Sequence, residues 1–202
     1  MIKILALPVF ILIFSALSGC SSNSSSGNLG GTHFYSLSSM KPTAAASANK
    51  ISIGIGPVEI PRLLNRPQIV SRKNKSEIIM SESHQWGGSY KEELNKAITD
   101  NLSVLLKTEK IEQYPWKSTF QPDYQVRIDI ESFDGDINNP THKNVTLNAR
   151  WRLLKNDKEL LVKRALITVP LKGSGYTAYV NAQSEALTRF SREVVTQIRK
   201  NP

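Results

Sequence analysis

The residues able to do chemistry are few and scattered. Cys20 is the one cysteine, the histidines are His33, His84 and His142, and Ser174 sits inside Lys172-Gly173-Ser174-Gly175-Tyr176. A metal centre needs thiolate, imidazole or carboxylate ligands at short regular spacing. None of the three histidines has such a partner nearby in the chain, so no metal site is read. Ser174 lacks the glycine spacing of a nucleophile elbow. Asp134 and Asp136 flank Gly135 and could serve as acid and base, yet aspartates beside glycine are ordinary turn residues. A Ser174–His142–Asp134 triad would need three distant segments to converge. No glycine-rich phosphate loop occurs, since the Gly54–Val58 stretch carries a proline at the wrong place. No enzyme is expected, no catalytic residue is assigned, and no cofactor is called for.

Cys20 has a different logic. It follows Lys3, an apolar run from Ile4 to Leu17, and the small residues Ser18 and Gly19. That is the layout of a secretory signal, and the run falls short of the roughly 20 residues a spanning helix needs. Leu17-Ser18-Gly19-Cys20 resembles a bacterial lipobox, in which the cysteine becomes the first residue of the mature chain and carries acyl groups. Several acyl chains hold a protein firmly, because each buried methylene contributes about 0.8 kcal/mol. Ser21, rather than aspartate, follows the cysteine, which favours the periplasmic face of the outer membrane. Residues 1–19 are thus read as a signal peptide and 20–32 as a lipidated cysteine with a Ser/Asn/Gly tether. Residues 33–202 are read as one periplasmic domain. With no second cysteine, no intramolecular disulfide can form.

The chain carries a formal charge of +9. Its basic residues are spread along the sequence, which suits solubility as well as it suits an anionic partner. Nucleic acid is not expected in a periplasmic setting.

Periodicity supplies the elements that must position any site. Alternation predicts strands over 33–38, 51–60, 68–72, 76–82, 124–133, 145–154 and 160–170, with a kink at Gly56-Pro57 and a hairpin turn at 155–159. Asp134 to Asn144 reads as turn. Ser89 and Glu92 form a capping-box pattern ahead of a helix over 90–107, whose buried face is Tyr90, Leu94, Ala97, Ile98, Leu102, Leu105 and Leu106. A second helix over 176–200 buries Tyr179, Ala182, Ala186, Leu187, Phe190, Val194 and Ile198. The fold class is α/β, a single domain in strands-helix-strands-helix order. Its sheet is expected to be mixed, mostly antiparallel, and covered by the two long amphipathic helices.

One connector stands out. Pro61-Arg62-Leu63-Leu64-Asn65-Arg66-Pro67 is confined by two prolines to a short turn, yet it holds two leucines and two arginines. Arginine beside apolar side chains is an interface composition, and arginine pairs bidentately with carboxylate or phosphate. Arg62, Leu63, Leu64 and Arg66, with Trp86 ahead of the first helix, are the candidate interface or lipid-contact residues. The alternative reading has the leucines plugging the core and the arginines in water.

An ordered set of segments carries a family resemblance. It comprises the lipobox, Phe34-Tyr35-Ser36-Leu37, Ile53 to Arg72, Trp86, Phe133-Asp134-Gly135-Asp136, Ala149 to Leu154 and Gly175 to Ile198. Together they resemble the PqiC family, the auxiliary lipoprotein of a paraquat-inducible, membrane-integrity-associated transport system. The sharpest match is carried by Val58, Ile60, Pro61, Leu64, Arg66, Gln68, Ile69 and Val70. The resemblance implies an outer-membrane lipoprotein working with an MCE-domain protein that bridges the periplasm and with an inner-membrane subunit. It also implies phospholipid or related lipid as cargo and a ring-like homo-oligomer. A non-transport adaptor for an envelope complex is the alternative, and an anchored hydrolase using Ser174 is the third reading.

Overall fold

The computed structural model describes residues 31–41, 50–74, 76–138 and 143–202. The signal segment, Cys20, most of the tether, the 42–49 loop and His142 lie outside them. The elements run β1 (His33–Tyr35), β2 (Ile53–Glu59), β3 (Gln68–Arg72), β4 (Ile78–Trp86), α1 (Tyr90–Leu106), β5 (Ile111–Gln113), β6 (Tyr124–Asp136), β7 (Asn144–Lys155), β8 (Lys158–Pro170) and α2 (Gly175–Lys200). The chain forms a mixed α/β domain.

The sheet has eight strands, and β6 is its hub. On one side β6 pairs antiparallel with β7 along nearly its whole length, and β7 pairs antiparallel with β8. On the other side its first half runs parallel to β2 and its end, Asp136, meets Arg72 of β3. β5 extends the β2 branch in parallel. The other branch continues from β3 antiparallel to β4, then parallel to β1. Among the described residues the sheet is mixed: four of the seven strand pairs are parallel, while the long β6–β7 and β7–β8 ladders are antiparallel. Alternation reports a strand and its buried face, not the direction of its partner. The 124–155 and 144–170 segments close as hairpins; β2 reaches β6 only across a long connection that contains α1.

The β7–β8 turn is tight. Asn156 and Asp157 adopt φ of 46° and 62°, the left-handed geometry that two-residue hairpins favour and that Asn and Asp tolerate. The Asp134–Asp136 stretch is not a turn: it completes β6. Gly135 is required there, because a Cβ would lie 1.8 Å from the Asn144 carbonyl oxygen. β4 also runs four residues past its expected end, so that Trp86 closes the strand. Two three-residue strands, β1 and β5, complete the sheet.

α2 lies on β6, β7 and β8, while α1 packs chiefly on α2 and reaches β2 and β5. The helices thus share a face with each other instead of each simply covering sheet. The seven residues expected on the inner face of α2 are all buried; of those expected for α1, only Leu105 is half-buried. Ser89 precedes α1, but its hydroxyl makes no capping bond. Glu93, not Glu92, does the local work: its carboxylate accepts from the Ser36 hydroxyl at 2.7 Å and the Leu37 N–H at 3.1 Å. Together with Ser38 N–H to Ser184 Oγ and Met40 N–H to Asn101 Oδ1, these bonds strap residues 36–40 across both helices.

Candidate functional site

The proline-bracketed turn is built by its own backbone. The Leu64 and Asn65 N–H groups donate to the Pro61 carbonyl at 2.9 and 3.3 Å, and the Arg66 N–H donates to the Leu64 carbonyl at 2.9 Å. The Trp86 N–H donates to the Pro67 carbonyl at 2.7 Å, tying the turn to the end of β4. This geometry divides the candidate contact residues. Leu64 and Trp86 are each only 4% exposed, and the Trp86 indole stacks on the Tyr90 ring at 4.3 Å. Both belong to the core, which corrects their assignment to a contact surface. An apolar residue that faces inward from a turn gives no sequence signal that separates it from one facing out. Arg62 is exposed, and Leu63 and Arg66 are half-buried. The Arg66 guanidinium reaches the Met80 thioether on β4, while its Nε is buried without a hydrogen-bond partner among the described residues.

Next to that turn the sheet edge carries an aromatic stack that the sequence did not disclose. His33 of β1 and His84 of β4 are register partners, with ring centroids 5.2 Å apart. Tyr176, in the first turn of α2, stacks on His84 at 3.9 Å, and the Tyr35 ring lies 5.7 Å from His84. His84 Nδ1 lies within hydrogen-bond reach of the Ser81 and Ser83 hydroxyls. Burial, reinforced by His33, lowers the His84 pKa from the usual imidazole value. The stack joins β1, β4 and α2. Only the β1–β4 pairing brings the two histidines together, so spacing along the chain could not show it.

The face of β6 and β7 turned away from α2 is polar, and on β8 the same face alternates Arg164 with the exposed Val162 and Leu166. Arg127 lies opposite Arg152, and Asp129 lies opposite Arg150 and Arg164 in the same row. Glu131, at the bulge between Ile130 and Ser132, gathers Arg164 at 2.8 Å and Arg150 at 3.5 Å. Arg152 pairs with Glu159 at 3.0 Å. A shallow cleft of about 320 Å³ opens between Arg127, Arg150, Arg152 and Glu59. Like charges directly opposite one another on a sheet are destabilising, and here the acids beside them offset that cost.

Of the residues weighed for catalysis, Asp134, Asp136 and Ser174 lie among the described residues. Asp134 is engaged by Arg72, whose Nε donates to its carboxylate at 2.6 Å; that bond is the main cause of the raised Arg72 pKa. The pair links β3 to β6 where the two strands share a single register position. Ser174 is the residue before α2, with extended backbone and no capping bond from its hydroxyl. His142 lies outside the described residues. Among the described residues no group of three His, Cys, Asp or Glu side chains converges as a metal site, and no helix is long and apolar enough to cross a membrane.

Comparison with known proteins bears on the whole folded region. A family model described as ABC-type transport auxiliary lipoprotein component matches residues 35–195. None of the curated proteins matches the sequence. Among solved structures, a Xanthomonas campestris protein of the DUF330 family is similar at 17% identity and a TM-score of 0.66, covering 81% of this chain and 93% of its own. Another, described only as an uncharacterized protein, is similar at 15% identity and a TM-score of 0.69, covering 83% of this chain and 99% of its own. At such identities the likeness speaks to the fold.

Proposed function

Because the chain belongs to the ABC-type transport auxiliary lipoprotein component family, we propose that it is the outer-membrane-anchored lipoprotein of an MCE-type, Pqi-like system that moves lipid between the two membranes. The match from residue 35 to 195, spanning the first strand to the last helix, is the observation that carries this reading. In it, Cys20 bears the acyl groups and the Ser/Asn/Gly tether leads to β1. The folded region stands at the membrane and meets an MCE-domain protein bridging the periplasm, which in turn connects to an inner-membrane subunit. The chain acts as a homo-oligomer, phospholipid is the cargo, and the role is docking and not catalysis.

Two features of the site support a docking role. Arg62, Leu63 and Arg66 present charge and apolar surface from a turn fixed by backbone bonds. The arginine-rich outer face of β6–β8 is open and lies on the side away from α2.

Metabolic palmitate labelling combined with affinity capture tests the reading. The parent chain should incorporate label and co-purify with an MCE-domain protein from detergent extracts. The Cys20→Ala variant should lose the label and leave the outer-membrane fraction. Undiminished label in that variant removes the lipid anchor from the reading, and capture of an envelope complex without an MCE protein or lipid replaces it with the adaptor role.

A further inference from the structure

We propose that a second copy of this chain docks edge to edge on the sheet, the free part of β4 in one copy pairing antiparallel with β8 of the next. This rests on the self-assembly reading above and deepens it by naming the surfaces.

The exposed large apolar side chains point to these two edges. Phe34, Ile78 and Met80 are 67, 36 and 50% exposed on β1 and β4, and Leu160, Val162 and Leu166 are 41, 47 and 70% exposed on β8. Of the exposed large apolar residues among those described, only Tyr114 lies elsewhere. The two edges close opposite ends of the path β1–β4–β3–β6–β7–β8. Both offer unpaired backbone among the described residues: β8 has β7 on one side and no strand on the other, and β1 covers only His84–Trp86, leaving Ile78 to Ser83 open on that side. A long edge with exposed apolar residues is an open template for another strand unless something covers it.

Direction and face both fit. β8 runs parallel to β6, because each is antiparallel to β7. β4 runs against β6, because β3 is parallel to β6 and antiparallel to β4. Continuing the sheet from one copy to the next in the same sense therefore sets β4 antiparallel to β8. Ile78, Arg72, Asp136, Asn144 and Pro170 form one register row, and residues in a row share a face. By the two-residue alternation, Ile78 and Met80 then lie on the same face as Val162, Arg164, Leu166 and Thr168, and Glu82 follows where the register of β4 to β3 shifts.

Charge selects the partner. Glu82 forms no ion pair among the described residues, whereas β8 carries Lys158, Lys163 and Arg164 with a single acid, Glu159. Setting Met80 opposite Leu166 in an antiparallel ladder places Glu82 opposite Arg164 and Ile78 opposite Thr168, giving an apolar pair beside a charge pair of the kind that stabilises cross-strand contacts. The two halves reside on one chain and are different surfaces, so the contact is heterologous and repeats head to tail.

Cysteine pairing in the full-length, membrane-anchored chain tests this. With Met80→Cys and Leu166→Cys together, mild oxidation of isolated membranes should produce a ladder of disulfide-linked multimers. Either single variant should stay at the parent's level, with Cys20 present throughout. Co-expressing the two single variants should give a linked pair. Both positions are at least half exposed, so folding should survive. As a second readout, Glu82→Arg alone should shift the native mass to smaller species, and adding Arg164→Glu should restore it. If the native mass shows an oligomer but the double-cysteine chain links no better than the singles, the edge assignment falls while self-assembly stands. If the parent is monomeric at every concentration in native mass measurement, the self-assembly reading fails with it.

Discussion

The two faces of β6 and β7 are made from the same strands and behave as different materials. Toward α2 the positions are Val126, Ile128, Ile130 and Phe133 on β6 and Leu147, Ala149, Trp151 and Leu153 on β7, none more than 2% exposed. Trp151 meets Phe190 of α2 edge to face at 6.0 Å. On the other face, in alternate positions of those strands, stand Arg127, Asp129, Arg150 and Arg152, all exposed. The first face holds the fold together because apolar area is removed from water and packed at near-crystalline density. The second contributes little to stability, because exposed ion pairs are solvated and screened. Buried and exposed positions are separated by one residue along the chain.

The comparison breaks most easily on the inner face. Phe190→Ala should lower stability by about 3–5 kcal/mol, the usual cost of emptying a buried aromatic site. That loss is read as a lower denaturation midpoint with an unchanged slope. If Phe190→Ala melts within a degree or two of the parent, the inner face is not the stabilising one.

A second disruption works where the strands themselves meet. Gly135→Ala would force its methyl group into the Asn144 carbonyl. Backbone cannot step aside as a flexible side chain can, so the β6–β7 ladder must shift. The expected cost is about 1–3 kcal/mol, with faster amide exchange in Val145 and Thr146 than elsewhere in β7. Uniform exchange along β7 and parental melting would show that the ladder absorbs the methyl.

The outer face should give the smallest effect. Arg164→Ala removes the two contacts to Glu131 at 2.8 and 2.9 Å, yet Arg150 remains beside that carboxylate. With these groups partly exposed, stability should fall by no more than about 1 kcal/mol in thermal melting. A loss as large as that of Phe190→Ala would make the outer ion pairs part of the core's support and erase the distinction between the faces.

Much of this division is legible in the linear chain. Alternation over 124–133 and 145–154 identifies both strands and their inner faces, because a period of two puts successive side chains on opposite sides of a sheet. The helical period does the same for α2, where every residue expected inside is buried. The lipid anchor proposed at Cys20 is read from linear order alone, through the apolar run and the small residues before it. The ordered matches from Phe34 to Ile198 point to the family that the model over 35–195 identifies.

Local order therefore specifies what each segment is and which side of it avoids water, since both follow from backbone geometry and apolar spacing. Neighbours are another matter, and they come from the folded chain alone. It sets β2 and β3 parallel to β6, brings His33 onto His84, joins Arg72 to Asp134 and draws Leu64 and Trp86 inward. It also makes a strand of Ile111–Gln113, which is too short to show a period, and ends β1 at Tyr35 where alternation runs on to Ser38. Pairing partners and direction are chosen by closure of the whole sheet around a shared core. That closure sums contacts between residues distant in the chain, and no local window contains them.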